Sequence, residues 1–203
     1  RTAHILSLQN MVNRNTGRKV NVNDAKRLSE EKISEQLTDE HHKMAVQSDK
    51  AVIDFFHEQI DGIEKAVLKE VKLRYPYEEL LTVPGIGKIL GITIMLETGD
   101  INRFPTVSDY SSYCRCVSSK KISNGKKKGE GNKKNGNKYL AWAYVEAANF
   151  MVRYSEPARR WHQRKTAKTN KIVAIKALSN KIARACYFII KDQTPFDPKK
   201  LFQ

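Results

Sequence analysis

Hydrophobic positions recur at helical spacing over most of the chain. From about residue 40 to residue 74, apolar residues alternate in steps of three and four, and charged residues fill the other faces. The positions of this seam are Ile53, Phe56, Ile60, Ile63 and Val67. The pattern predicts either a helix packed on its own domain or a coiled-coil-like arm, and its length and narrowness favour helix–helix pairing, including pairing between subunits.

Three further helices are predicted in the last third of the chain. Asn137 caps a helix from Lys138 to about Tyr154, Pro157 begins a basic helix, and Asn170 caps a third. The expected core positions are Leu140, Tyr144, Ala147, Ala148 and Met151 in the first of these helices, and Ile172, Ile175, Leu178, Ile182, Ala185 and Ile189 in the third. By contrast, residues 4–8 are consistent with a strand and residues 13–17 with a turn or mobile loop.

A glycine-containing turn joins two apolar stretches between residues 80 and 100. Gly85 and Gly87 follow Pro84, which allows a tight turn whose backbone comes close to a ligand. The amides that begin the next helix, from about Lys88, can bind an anion. The arrangement resembles a helix-hairpin-helix, a module that holds the nucleic-acid backbone. The alternative is a simple αα-hairpin whose glycines only allow two helices to pack.

Residues 118–138 form a basic, glycine-rich segment. It contains eight lysines and four glycines against one acid, Glu130. Such a composition buries too little surface to fold alone, so a disordered loop is predicted. Its charge would bind phosphates with an affinity that falls as salt rises, and the loop would order on nucleic acid.

The net charge points to the same class of partner. The chain has 37 Lys and Arg against 22 Asp and Glu, a balance of +15, which favours a polyanion over a merely solvated basic surface. Three cysteines at this spacing suit neither a disulfide framework nor a zinc site and fit a reducing cytoplasm. No apolar run is long enough for a membrane span. Because the chain begins with Arg1, we expect a fragment or a processed form.

The fold is therefore predicted to be mainly α: a long coiled-coil-like helical arm followed by an α-helical domain that contains the helix-hairpin-helix and the basic loop. The expected divisions are residues 1–38, an arm at 39–76 and a C-terminal domain at 77–203.

Several motifs in this order resemble one family. They are Val83-Pro84-Gly85-Ile86-Gly87, Glu97-x-Gly99-Asp100-Ile101-x-Arg103-Phe104, a tyrosine-ended helix, a Ser-x-Gly segment, Lys134-Asn135-Gly136-Asn137-x-x-Leu140, and Glu146-Ala147-Ala148. Over about residues 80–191 the set resembles the C-terminal domain of the DEDD insertion-sequence transposases, the one-ten family with its eleven-eleven subgroup, related to the Piv invertases.

The resemblance implies a DNA recombinase. In this family a RuvC-like domain with four metal-binding acids precedes the C-terminal domain, a structured RNA guides the reaction, and a serine is the nucleophile. The matching serine is Ser123, although Asn124 separates it from the glycine, and Ser118 and Ser119 remain rivals. Metal-held carboxylates would activate its hydroxyl.

Residues 1–38 would be a remnant of the RuvC-like domain. Asp24 would be a Mg²⁺ ligand, but Asn21 stands where the family has another acid, so the metal site would be incomplete and this chain alone inactive. The implied partners are DNA, a guide RNA and a second copy bound through the arm, with no membrane, in the prokaryotic cytoplasm at the nucleoid.

The residues predicted to contact DNA share a basic charge or a place in the glycine turn. They are Gly85, Gly87, Lys88, Lys126, Lys127, Lys128, Lys133, Lys134, Arg159, Arg160 and Arg164. The competing hypothesis is a non-catalytic or decayed helix-hairpin-helix protein that only binds nucleic acid.

Overall fold

The structure, a computed structural model, describes residues 1–71, 76–117, 120–130 and 134–202. The chain is mainly α-helical, as predicted. It divides into two compact units, Arg1–Lys69 and Glu70–Gln203. This division does not test the three-part arrangement expected from the sequence, which stays a prediction.

Four helices build the first unit: α1 (Thr2–Thr16), α2 (Val22–Arg27), α3 (Glu30–Gln36) and α4 (Glu40–Val71), whose last turn passes the boundary between the units. Its core consists of Ile5, Leu8, Val12, Ala25, Leu28, Ile33, Leu37, Val46 and Ile53. The strand predicted at residues 4–8 is wrong, because Ile5, Leu8 and Val12 recur at helical spacing and bury one face of α1. The loop predicted at 13–17 is also wrong, since α1 continues to Thr16 and ends at Gly17, where φ is 69°.

The apolar seam of α4 has two different surroundings. Ile53 is buried in the core of the first unit. Phe56 is exposed, and Ile63 keeps 64% of its surface exposed. Ile60 and Val67 are partly buried. The first part of the seam therefore packs within its own unit, and pairing of the remainder with another helix stays a prediction.

The second unit begins with α5 (Tyr77–Leu81), α6 (Lys88–Thr98), a short 3₁₀ helix (Ile101–Arg103) and α7 (Val107–Tyr113). The strands β1 (Lys120–Ser123) and β2 (Lys126–Glu130) follow, and then α8 (Lys138–Tyr154), α9 (Glu156–Lys168), α10 (Lys171–Asp192) and α11 (Pro198–Phe202). Helix α8 packs against α6, α9 and α10, and α10 also packs against α7.

The caps and core positions predicted for these helices are largely confirmed. The side chains of Asn137 and Asn170 accept hydrogen bonds from the first backbone amides of α8 and α10. The five apolar positions predicted for α8 are all fully buried, as are Leu178 and Ile182 of α10. Ile172 is 82% exposed, so its assignment to the core is wrong. It lies in the first turn of α10, ahead of Ala174, the first residue of that helix to be buried.

The basic segment contains a β-hairpin. Strands β1 and β2 are antiparallel, with Ser123 opposite Lys126. Asn124 and Gly125 form the two-residue turn with φ of 51° and 71°, the positive values that type I′ turns require. The disordered loop predicted here is wrong for residues 120–130, because an Asn-Gly turn and a backbone ladder need no apolar side chains.

None of the helices in the described ranges is long and apolar enough to cross a membrane.

Candidate nucleic-acid interface

The net charge of the chain resides in the second unit. Residues 1–69 carry eleven Lys and Arg against eleven Asp and Glu, so the first unit is formally neutral. Residues 70–203 carry 26 against 11 and therefore hold the whole surplus of +15. A polyanion would bind this unit in preference to the first.

The two glycines of the turn between α5 and α6 have different roles. At Gly85 φ is +94°, and a Cβ would lie 2.5 Å from the carbonyl oxygen of Ala147 and 2.6 Å from the backbone nitrogen of Met151. Gly85 therefore lets the turn pack directly on the backbone of α8. Gly87 has φ of −92°, and a Cβ there would meet nothing within 4 Å.

Gly87 is also the N-cap of α6, so no side chain caps the amides of the first helical turn. Packing against α8 thus explains why a glycine is needed at position 85, but it does not explain the glycine at position 87. Contact of either glycine with DNA stays a prediction.

An open groove of about 570 Å³ lies beside this turn. It is lined by residues 85–90 of the turn and α6, and by Phe150 and Tyr154 of α8. The lining contains no acidic side chain. The Lys88 side chain is exposed and makes no hydrogen bond or ion pair within the described ranges. This ammonium group is available to a phosphate.

The three arginines predicted on α9 differ in what they already contact. The guanidinium of Arg159 donates to the backbone carbonyls of Val152 and Arg153 at the end of α8, at 3.3 and 2.7 Å. Arg160 pairs with Glu156 one turn earlier. Arg164 is exposed, and its side chain forms no such contact in the part of the chain that is described. Arg159 serves the α8–α9 junction, which leaves Arg164 as the arginine most open to DNA.

The hairpin exposes the predicted nucleophile together with lysines. Ser123, Lys126 and Lys128 are exposed. The Ser123 hydroxyl has no hydrogen-bond partner among the described residues, so the structure assigns it no general base. Of Lys127 only the backbone in β2 is described, whereas Lys133, Ser118 and Ser119 lie outside the described residues.

The segment that follows the hairpin is held in place by Arg115. Its guanidinium donates to the carbonyl of Gly136 at 2.7 and 3.0 Å and to that of Lys134. Gly136 has φ of +92°, and a Cβ there would lie 2.4 Å from the carbonyl oxygen of Tyr113. Backbone contact therefore fixes the path of residues 134–136 into α8.

Asn137 completes this anchor. Besides capping α8, its side-chain amide donates to Glu97 at 2.6 Å and to the Tyr113 hydroxyl at 3.4 Å. The hydrogen bond from Asn137, aided by Arg103, lowers the pKa of Tyr113. Glu97 of the family-like motif thus holds the start of α8.

The glycine turn and the hairpin anchor, which is the segment held by Arg115 and Asn137, lie at opposite ends of the helix pair α6 and α8. Lys88 begins α6 beside the C-terminal half of α8, whereas Glu97 near the other end of α6 bonds to Asn137 at the start of α8. At 1.5 Å per residue, α6 is about 16 Å long. The glycine turn and the hairpin therefore occupy two regions of the second unit, and they do not converge on one cavity.

Asp24 lies in a helix cap. The Asn21 oxygen accepts from the amides of Asn23 and Asp24, both at 2.9 Å, and the Asn21 amide donates to the Asp24 carboxylate at 2.6 Å. Asn21 is thus the residue that caps α2. No cluster of three or more His, Cys, Asp or Glu side chains in the described ranges could hold a metal. One exposed carboxylate bonded to an amide does not fit a Mg²⁺ site, and Asp24 as a ligand stays a prediction.

The region around the turn and hairpin is similar to known proteins. Residues 77–163 match the profile of the family described as "Transposase IS116/IS110/IS902 family". The transposase for insertion sequence element IS1328 from Yersinia enterocolitica is 27% identical over 143 residues, which are 68% of this chain and 43% of that protein. Both comparisons show similarity to insertion-sequence transposases, and the profile match names the IS110 group.

The region matched to the IS110 family runs from α5 into α9. It therefore includes the glycine turn, the hairpin and the anchor at Asn137. The chain spans less than half the length of the IS1328 transposase. The RuvC-like and DEDD parts of the resemblance stay predictions.

The two aromatic side chains of α8 that line the groove, half-buried Phe150 and exposed Tyr154, were not predicted as part of the interface. Phe150 and Tyr154 were available to sequence reasoning, because a spacing of four places two aromatic residues on one helix face. Arg115 gave no such signal, since its partners are backbone carbonyls some twenty residues away.

Proposed function

We propose that the second unit is the DNA-binding and strand-transfer part of an IS110-family transposase. The observation that carries the proposal is that the whole surplus of +15 lies in the unit that contains the family match. The turn at Gly87 and Lys88 would hold backbone phosphate, and the lysines of the hairpin would offset the charge of the phosphate that reacts.

Ser123 is the proposed nucleophile. Its Oγ would attack a DNA phosphorus and form a phosphoserine ester, while the bond from phosphorus to the leaving strand breaks. The Ser123 hydroxyl releases its proton to solvent, and the leaving oxygen keeps the bonding electrons and takes a proton from solvent to become a hydroxyl. The exposed position of Ser123 next to the hairpin turn supports this role, because a duplex can reach it.

The two regions of the interface imply a spacing on DNA. The length of α6, about 16 Å, corresponds to about five base-pair steps of 3.4 Å. We infer that the glycine turn and the segment held by Arg115 and Asn137 contact the DNA at two points. These points lie about half a turn of the double helix apart. The turn is a clamp in this arrangement, and the hairpin carries the chemistry.

Mg²⁺ and a guide RNA belong to the proposal through the resemblance alone. A bound Mg²⁺ would supply Lewis-acid stabilisation of charge on the phosphate. The described residues do not form its site, so the acids would come from a RuvC-like domain.

Replacement of Ser123 tests the proposed chemistry. The full-length protein, incubated with Mg²⁺ and a duplex that carries the element's end, should give a covalent protein–DNA adduct on a denaturing gel. Ser123→Ala should abolish the adduct, whereas Ser108→Ala should retain it, because Ser108 is an exposed serine of α7 outside the hairpin. An equal adduct in Ser123→Ala would overturn the assignment. DNA binding without an adduct in any variant would instead indicate a binding protein.

We also propose that α4 pairs with a second copy through Phe56, Ile60, Ile63 and Val67. Ile63→Asp should convert an oligomer to a monomer in a sedimentation experiment. The substitution would place a carboxylate where an exposed apolar side chain lies in the middle of the seam. Lys65→Asp lies on the opposite face and should leave the oligomer intact. A monomeric wild-type protein would refute the pairing.

A further inference from the structure

Two aromatic side chains extend from the end of α8 beside the glycine turn. The rings of Phe150 and Tyr154 are inclined by only 11°, with centroids 6.3 Å apart. Tyr154 keeps 74% of its surface exposed. The guanidinium of Arg153 lies 5.7 Å from the centroid of the Phe150 ring. The pair therefore presents nearly parallel aromatic faces with a cation next to them.

The surroundings of these rings favour a nucleotide over an apolar protein partner. Phe150 and Tyr154 line the same groove as Gly87 and Lys88, and no acid is part of that lining. An apolar partner would bury the Lys88 ammonium without a counter-charge, which is costly. A nucleotide supplies both a flat base for the rings and a phosphate for the ammonium.

We propose that the Phe150–Tyr154 pair, the aromatic platform, stacks an unpaired DNA base whose phosphate lies at Lys88. This deepens the proposed function and depends on it. Bases in an intact duplex are already stacked on their neighbours, so the platform selects DNA whose strands have been separated. Its place at the glycine turn implies that the bound duplex is opened locally there, so that one strand supplies the unpaired base.

Fluorescence anisotropy of the wild-type chain and its variants tests the platform. The probes are a labelled oligothymidylate of about twelve nucleotides and a labelled duplex of about twenty base pairs at the same salt concentration. Tyr154→Ala should weaken binding of the oligothymidylate about tenfold and change duplex binding by less than about twofold, and Tyr154→Phe should bind like wild type.

Tyr139→Ala is the matched control. Tyr139 is also an exposed tyrosine of α8 beside a cation, since the Lys138 ammonium lies 4.9 Å from its ring centroid, but it sits at the other end of the helix. It should leave oligothymidylate binding unchanged. Equal losses in Tyr139→Ala and Tyr154→Ala would overturn the platform, because any exposed ring would then suffice.

The remaining outcomes separate the two proposals. If the wild type binds the duplex and Tyr154→Ala binds oligothymidylate as tightly as wild type, the platform is refuted and the proposed function stands. If the wild type binds neither probe, DNA binding by this unit is refuted and the platform with it.

Discussion

Gly85→Ala is expected to lower the free energy of unfolding of the second unit by about 4 kcal/mol. A residue with a Cβ at φ of +94° costs roughly 1–3 kcal/mol in backbone strain. The new methyl group would also lie 2.5 Å from the carbonyl oxygen of Ala147, and overpacking of this kind costs about 1–3 kcal/mol more. The neighbouring atoms belong to the backbone of α8, so no side-chain rotation can relieve the clash.

The measurement is urea unfolding followed by tryptophan fluorescence. The only tryptophans of the chain, Trp142 and Trp161, both belong to residues 70–203, so the signal reports on the second unit. Gly87→Ala is the control and should cost about 1 kcal/mol or less, through the poorer N-cap alone. Equal losses at Gly85 and Gly87 would show that the turn does not pack on α8 as described.

The contrast between the two glycines shows where sequence reasoning reaches its limit. The Pro-Gly-x-Gly pattern correctly indicates a turn before a helix, because local conformational preferences determine both features. It cannot tell which glycine meets a neighbouring backbone, since Ala147 and Met151 lie about sixty residues further along the chain. The fold of α8 was predictable for a related reason, because its cap at Asn137 and its apolar period are local.

The hairpin and the anchor behind it depend on less visible signals. The composition of the basic segment suggested disorder. The Asn124-Gly125 pair is a strong local turn signal, but two residues have little influence on the composition of a whole segment. The contacts of Arg115 with the carbonyls of Lys134 and Gly136 could not be predicted from residue type or spacing, because every residue has a backbone carbonyl. Local rules therefore recover helices and caps, and tertiary hydrogen bonds have to be seen in the structure.

Alkaline pH should also destabilise the second unit strongly. Its core buries three thiols and a chain of hydroxyl groups in which Tyr110 bonds to Tyr144 at 2.6 Å. Burial raises the pKa of Cys116 to about 11 and that of Cys186 to about 12, and it also raises the pKa of Cys114. Burial raises the pKa of both tyrosines well above the usual value. All five groups are therefore neutral in the folded protein at neutral pH.

The direction of the effect follows from proton binding. Above pH 9 the unfolded chain releases thiol protons that the folded chain retains, so stability that is fully present below pH 9 is lost as the pH rises towards 11 and beyond. Between pH 8 and pH 10 the slope for each thiol rises from near zero to about 1.4 kcal/mol per pH unit, so each thiol loses about 1.4 kcal/mol over this range and the three together lose about 4 kcal/mol. That is a large part of the stability of an ordinary domain.

Urea unfolding at pH 8, 9 and 10, followed by circular dichroism so that tyrosine ionisation does not alter the signal, measures this loss. Cys186→Ala should reduce the slope of stability against pH by about one third, because it removes one of the three thiols. The substitution also lowers the free energy of unfolding because it leaves a cavity in place of the sulfur. This loss is the same at every pH and therefore does not change the slope. Stability that stays level to pH 10 would mean that the thiols reach water in the folded protein. The tight packing of α8 and α10 around Cys186 would then be wrong.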